Sequence, residues 1–220
     1  MIKEAIAQIV SGQDLTKEEA KKAMDAIMDG EATSAQIGSF ITALRIKGET
    51  VDEITGMAIT MRQKSLKVQI GGALVDTAGT GGDGQNTINV STAAALVAAA
   101  AGVRVAKHGN RAASSVCGSA DVLEASGVNI NLNPEEVSEC IQKVGFGFMF
   151  AQIFHPAMHH AGGPRREIGI RTVFNILGPL TNPAGANAQL LGVSSPTVGE
   201  KMAAALGNLG VERAMVVNGE

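Results

Sequence analysis

Apolar residues recur at helical spacing through the first third of the chain. Ile2 to Val10 has the pattern of a short amphipathic helix. Thr16-Lys17-Glu18-Glu19 reads as a capping box, with Thr16 as N-cap and Glu19 at the third helical position. Ala20, Ala23, Met24, Ile27 and Met28 then share a face, and Gly30 ends the run. Ser34 is read as opening a third helix, with Ile37, Phe40, Ile41 and Leu44 on one side and Gly48 behind it. Thr50-Val51-Asp52-Glu53 repeats the capping box ahead of Ile54, Met57, Ala58 and Met61. The methionines read as core filler.

Near residue 70 the period changes. Ala73 to Thr77 is a short apolar run, and from there strands and helices alternate. Strands are expected at Val103–Ala106, Phe146–Phe150, Gln189–Val193 and Arg213–Val217. Helices are expected from about Ser91, over Ser114–Ala125 ending at Gly127, from Pro134, and over Val198–Leu209. Such alternation implies a mainly parallel sheet that binds ligands at the carboxyl ends of its strands. Residues 154–183 are less regular and are punctuated by Pro156, Pro164, Pro179 and Pro183.

Composition narrows the function classes. Of 220 residues, 45% are hydrophobic and 18% charged, enough for a packed core. With no Trp or Tyr, that core rests on aliphatic residues and alanine. A net charge of −3 argues against a nucleic-acid binder. No apolar run of membrane-spanning length occurs, and the first residues lack a signal-peptide pattern. The two cysteines, Cys117 and Cys140, fall in helical patterns and read as buried, reduced thiols of a cytoplasmic protein.

The candidate chemistry lies between Asp76 and Asn110. Gly79, Gly81, Gly82 and Gly84 can turn backbone N–H groups toward an anion. A helix opening at Asn89-Val90-Ser91-Thr92 adds unpaired N–H groups, a positive dipole end and two hydroxyls. Lys107, at the end of the next strand, supplies a full positive charge. The helix body, Ala93 to Ala101, is small enough to lie close against a sheet.

Four segments carry a family resemblance. They are Asp76-Thr77-Ala78-Gly79-Thr80-Gly81-Gly82-Asp83-Gly84, Asn89-Val90-Ser91-Thr92, Ala106-Lys107-His108-Gly109-Asn110-Arg111, and Ser114 through Glu124. Together they closely resemble the anthranilate phosphoribosyltransferases, and the resemblance runs through essentially the whole chain. It implies an α/β fold: a small N-terminal α-helical domain and a larger α/β domain with a mainly parallel sheet. The helical domain is expected over 1–70, with part of 155–185 returning to it. The α/β domain is expected over 71–154 and 186–220, with the active site in the cleft between the domains. A homodimer through the helical domain is also implied.

The family's reaction moves phosphoribose from phosphoribosyl pyrophosphate to the amine of anthranilate, releasing pyrophosphate, in tryptophan biosynthesis. The resemblance puts Gly79, Gly82, Asp83, Thr87, Asn89, Val90, Ser91 and Thr92 on phosphoribosyl pyrophosphate. It adds Lys107, His108, Gly109, Asn110, Arg111, Ala112, Ala113, Ser114, Ser115 and Ser119. Ser91 would also ligate Mg²⁺, and Gly79, Asn110 and Arg165 would hold anthranilate. Read without the family, Arg165 fits a surface ion pair with Glu167, and His108 fits either a base or a packing role. His159-His160 reads as surface.

Two departures from the family pattern stand out. Gly163-Pro164-Arg165 replaces the usual Pro-Val-Arg, which predicts a loosened segment around Arg165. The family's adjacent Asp-Glu metal pair lies beyond Glu220, so a truncated α/β domain is expected, with an apolar sheet edge and face exposed. Two other readings accompany the main one: a fragment that binds without turnover, and a pyrimidine nucleoside phosphorylase-like enzyme.

Overall fold

The computed structural model describes residues 1–81, 87–112 and 117–219. In chain order the elements are α1 (Ile2–Val10), α2 (Lys17–Met28), α3 (Ser34–Lys47), α4 (Val51–Lys64), β1 (Val75–Gly79), α5 (Val90–Ala100), β2 (Val105–Gly109) and α6 (Ser119–Ala125). There follow α7 (Pro134–Val144), β3 (Phe146–Phe150), α8 (Ala151–Phe154), α9 (His159–Ile168), α10 (Phe174–Leu177), β4 (Ala188–Gly192), α11 (Pro196–Asn208) and β5 (Arg213–Val217). They divide into two compact units: Met1–Ser65 with His155–Thr181, and Leu66–Phe154 with Asn182–Glu220.

The first unit is all helical. The Thr16 and Thr50 capping boxes form as expected, and a third forms between Thr33 and Gln36. The third helix is therefore capped by Thr33, with Ser34 its first residue. Helices α2 and α4 pack so closely that a Cβ on Gly56 would lie 2.2 Å from the Lys17 carbonyl oxygen. The Thr60 hydroxyl donates across that contact to the Lys21 carbonyl at 3.1 Å. Phe40, Ile41, Leu44, Ile54 and Met57 are fully buried here. Removing the side chain of one such residue typically costs about 2–5 kcal/mol.

The second unit is a five-stranded sheet in the order β3-β2-β1-β4-β5, with every neighbouring pair parallel. The chain moves from β1 outward through β2 and β3, then returns to the other side of β1 for β4 and β5. Strand β1 thus sits where strand order reverses, the point at which open α/β sheets bind ligands. Gly79 pairs with Gly192 across β1 and β4. Strand β2 also ends on a glycine, Gly109, so three adjacent strands reach their carboxyl edge without a side chain. Val68, Leu74, Ala106, Val137, Ile141, Met149 and Phe154 form one buried cluster of this unit.

Several boundaries differ from the sequence reading. Strands β1 and β2 begin two residues late and run into their glycines, because backbone pairing continues past the last apolar side chain. Helix α6 begins at Ser119 instead of Ser114. Cys117 precedes that helix and is exposed, and Cys140 is half-buried, so neither is the buried core thiol expected. Gly162, Gly163 and Pro164 lie inside α9, with no loosened segment before Arg165. The expected apolar exposure is present: Met215 on β5 is 64% exposed and Val97 on α5 is 70% exposed.

Candidate functional site

The site is built on β1, β2 and the first turn of α5. Thr77 on β1 is buried, and its hydroxyl donates to the Ser91 carbonyl at 2.7 Å. That bond ties the start of α5 to the sheet. Lys107 on β2 is only 1% exposed, and its Nζ donates to the Thr77 carbonyl at 2.5 Å and to Ser91 Oγ at 3.3 Å. Thr77, Ser91 and Lys107 therefore close a ring of contacts. Asn89, the N-cap residue, donates from Nδ2 to the Cys117 carbonyl at 3.0 Å, linking the α5 start to the segment after β2.

The electrostatics of this ring are unusual. Burial holds the Lys107 ammonium below the ordinary lysine pKa, and the nearby Asp76 carboxylate opposes that shift. Asp76 is itself fully buried, and burial raises its pKa against the pull of Lys107. Its Oδ1 accepts the His108 backbone N–H at 3.2 Å. Among the described residues, Lys107 bonds only a carbonyl and a hydroxyl and forms no ion pair. An ammonium placed this way beside helix N–H groups has affinity for an anion.

The segment after β2 is held by Asp121. Its Oδ2 accepts the N–H groups of Ala112 at 3.0 Å and Gly118 at 2.8 Å. Gly118 permits this fold-back, because a Cβ there would lie 2.3 Å from the Ala112 nitrogen. The Arg111 guanidinium donates to Asp121 and, through both terminal nitrogens, to Glu124, and it rests over the Phe150 ring. Those carboxylates raise its pKa, Glu124 most. Arg111 is thus already charge-matched within the protein.

Of the residues expected on the phosphate side, Gly79 and Gly109 lie at the carboxyl edge of β1 and β2, while Lys107, expected at the end of its strand, lies in the middle of β2 because the strand runs on to Gly109. Asn89, Val90, Ser91 and Thr92 lie at the start of α5. Thr87 and Asn110 are exposed beside these ends, and Ala112 and Ser119 are half-buried. His108 is buried in β2. Gly82, Asp83, Ala113, Ser114 and Ser115 lie outside the described residues. Sequence reading gave no role to Thr77, Asp121 or Asn182. Asn182 Nδ2 donates to the Ala106 carbonyl at 2.8 Å, beside Lys107. The signal for Thr77 was its place in a strand feeding a glycine loop; that for Asn182, far off in sequence, was only its position before a proline.

Arg165 lies in the helical unit, on α9, with its guanidinium 5.0 Å above the Phe174 ring. Burial lowers its pKa. The ion pair with Glu167 is not formed, and among the described residues no carboxylate neutralises Arg165. A guanidinium stacked on a ring keeps its edge available to a planar carboxylate.

Among the described residues, no three His, Cys, Asp or Glu side chains gather as a metal site. Ser91 Oγ is an oxygen donor of the kind Mg²⁺ accepts. Mg²⁺ commonly takes few protein oxygens and completes its shell with phosphates and water, so a single hydroxyl fits.

Comparison with known proteins agrees with this architecture. Residues 3–65 match the family model "Glycosyl transferase family, helical bundle domain", and residues 71–220 match "Glycosyl transferase family, a/b domain". The anthranilate phosphoribosyltransferases of Acetivibrio thermocellus and Pelotomaculum thermopropionicum are 62% and 63% identical over the whole chain. The chain spans 64% of the length of each. The crystal structure of the Thermus thermophilus anthranilate phosphoribosyltransferase superposes with a TM-score of 0.93 at 52% identity, covering 98% of this chain and 66% of that one. The Saccharomyces cerevisiae enzyme in complex with phosphoribosyl pyrophosphate and Mg superposes at 0.92 with 30% identity, covering 100% and 66%. With both parts of the chain matched, the helices and the parallel sheet alike, the chain belongs to this glycosyl transferase family.

Proposed function

We propose that this chain binds phosphoribosyl pyrophosphate and belongs to a protein that transfers its phosphoribosyl group to anthranilate, a step of tryptophan biosynthesis. The observation that carries this reading is Lys107. It is a buried ammonium in the middle of β2, hydrogen-bonded to Thr77 and Ser91 and to no carboxylate among the described residues, with the buried Asp76 carboxylate nearby. The Saccharomyces cerevisiae neighbour's complex with phosphoribosyl pyrophosphate and Mg supports the same ligand here.

In the reaction the bond from the anomeric carbon to the pyrophosphate oxygen breaks, a bond to the anthranilate nitrogen forms, and that nitrogen loses a proton. Negative charge grows on the departing pyrophosphate. Lys107, the Ser91 hydroxyl and the positive dipole end of α5 face that charge. When bound, Mg²⁺ neutralises pyrophosphate charge, with Ser91 Oγ as the oxygen this chain offers it. Arg165 offers its planar fork to the anthranilate carboxylate. A second neighbour, the Saccharomyces cerevisiae enzyme with 4-fluoroanthranilate, supports an aromatic acid as the acceptor.

The helical unit carries a groove lined by Ile9, Val10, Gly12, Ser39, Thr42, Ala43, Ile46 and Lys47, where Val10 and Ile46 are exposed. This groove supports homodimerisation through the helical domain. Two free cysteines among the described residues support a cytoplasmic location.

The test is anthranilate fluorescence in the presence of phosphoribosyl pyrophosphate and Mg²⁺. The reading expects binding of the donor by the 220-residue chain and loss of anthranilate fluorescence in the protein to which it belongs. If neither the chain nor that protein binds the donor or consumes anthranilate, the reading is wrong.

A further inference from the structure

The Thr77–Ser91–Lys107 ring contains one member that no role above accounts for. Thr77 is buried in β1, with its side chain directed at α5 and its carbonyl at Lys107. Its hydroxyl donates at 2.7 Å to the Ser91 carbonyl, and its own carbonyl accepts from Lys107 at 2.5 Å. Lys107 in turn reaches Ser91 Oγ at 3.3 Å. A strand–helix connection can shift along the helix axis with little loss of apolar burial, because α5 presents mostly alanine; only Thr92 and Ala95 of this helix are buried. Apolar packing therefore fixes the depth of α5 poorly. A directional hydrogen bond fixes it far better.

We propose that Thr77 is a positioning residue for phosphoribosyl pyrophosphate: its hydroxyl sets the first turn of α5, and its carbonyl aims Lys107, so that the Ser91 hydroxyl and the ammonium address one anion together. This deepens the phosphoribosyl pyrophosphate reading and rests on it. Two protons decide the arrangement. The Thr77 hydroxyl proton is committed to the Ser91 carbonyl. Because Lys107 occupies one lone pair of Ser91 Oγ, the Ser91 hydroxyl proton is directed away from the ammonium and can be donated to a phosphate oxygen. Without the Thr77 hydroxyl, the helix start moves, and the two donors no longer meet the same phosphate.

The test compares Thr77→Val, which keeps the shape and removes the hydroxyl, with Thr77→Ser, which keeps the hydroxyl. Binding of phosphoribosyl pyrophosphate at fixed Mg²⁺ is measured by calorimetry on folded protein, with thermal unfolding recorded for each variant. We expect Thr77→Val to weaken binding about tenfold and Thr77→Ser to restore most of it. In a form that turns over, KM for the donor rises while KM for anthranilate is unchanged. If Thr77→Val does not fold, Thr77→Ala set against Thr77→Ser applies the same criterion. Unchanged donor affinity in a folded variant lacking the hydroxyl would overturn the inference, as would a Thr77→Ser variant as weak as Thr77→Val. Failure of the unaltered chain to bind the donor would instead overturn the reading beneath it.

Discussion

Each unit of this chain withdraws a lysine from solvent, and the two are neutralised in opposite ways. Lys47, at the end of α3, has a side chain 8% exposed, and its Nζ meets Asp14 at 2.6 Å and Glu53 at 3.1 Å. Glu53 is fully buried and also accepts the backbone N–H groups of Leu15 and Thr50. Burial works against the Lys47 charge, but the hydrogen bonds it donates to Asp14 and Glu53 outweigh it, and its pKa is raised. Lys107 is more deeply buried, bonds no carboxylate among the described residues, and has a lowered pKa. A buried charge left unmatched by protein is unfavourable in isolation. The helical unit meets its lysine with hydrogen-bonded carboxylates; the sheet unit gives Lys107, among the described residues, a carbonyl and a hydroxyl, with the buried Asp76 nearby. The arginines repeat the contrast, with Arg111 held by Asp121 and Glu124 and Arg165 stacked on Phe174 with no carboxylate pairing it among the described residues.

If this contrast is sound, substitutions at the two lysines will divide stability from binding. The largest effect is expected for Lys47→Met. It strands the buried Glu53 carboxylate and should lower unfolding free energy by about 3 kcal/mol in urea titrations, leaving donor affinity of the folded protein intact. For Lys107→Met the effect falls on binding: donor affinity of the folded protein is expected to drop on the order of 100-fold by calorimetry. Arg165→Lys keeps the charge but loses the planar fork, so KM for anthranilate should rise about tenfold with KM for the donor unchanged.

The smallest effect lies in the pH dependence of stability. Lys47 has a folded pKa above the ordinary 10.5, so its contribution is present below that value and fades as pH rises through the raised one. For Lys107 the folded pKa lies below 10.5, so the unfolded chain holds the extra proton in between, and stability rises with pH across that window. Urea titrations on the alkaline side below pH 10.5 should show a flatter profile for Lys107→Met than for the unaltered chain, with a slope difference under about 1.4 kcal/mol per pH unit. Equal slopes would remove the electrostatic distinction between the two lysines.

The legible parts of this protein were those whose cause is local. The Thr16 and Thr50 capping boxes, the Pro134 helix start, and the strands Phe146–Phe150 and Arg213–Val217 all follow from residues within a few positions of one another. Thr33 was passed over because Ser34, beside it, is an equally good cap by type; only the Gln36 side chain reaching back to Thr33 decides between them. The glycine loop, the α5 start and Lys107 were visible as residue types suited to anions. What joins them was not. Thr77 and Ser91 are 14 positions apart, Lys107 and Thr77 are 30, and Asn182 is 76 from Ala106. Such contacts depend on strand order, and strand order reverses at β1 without a local sequence mark. The exposure of Cys117 was missed for a related reason: the Asp121 staple holds Gly118 back on Ala112 and starts α6 late.

The most direct test of the account is calorimetric titration of phosphoribosyl pyrophosphate, at fixed Mg²⁺, into the unaltered chain, Lys107→Met and Lys47→Met. The account predicts saturable binding to the unaltered chain and to folded Lys47→Met, and its near loss in Lys107→Met. Equal binding by all three, or equal loss in both variants, would contradict the claim that the unmatched lysine is the one reserved for the ligand.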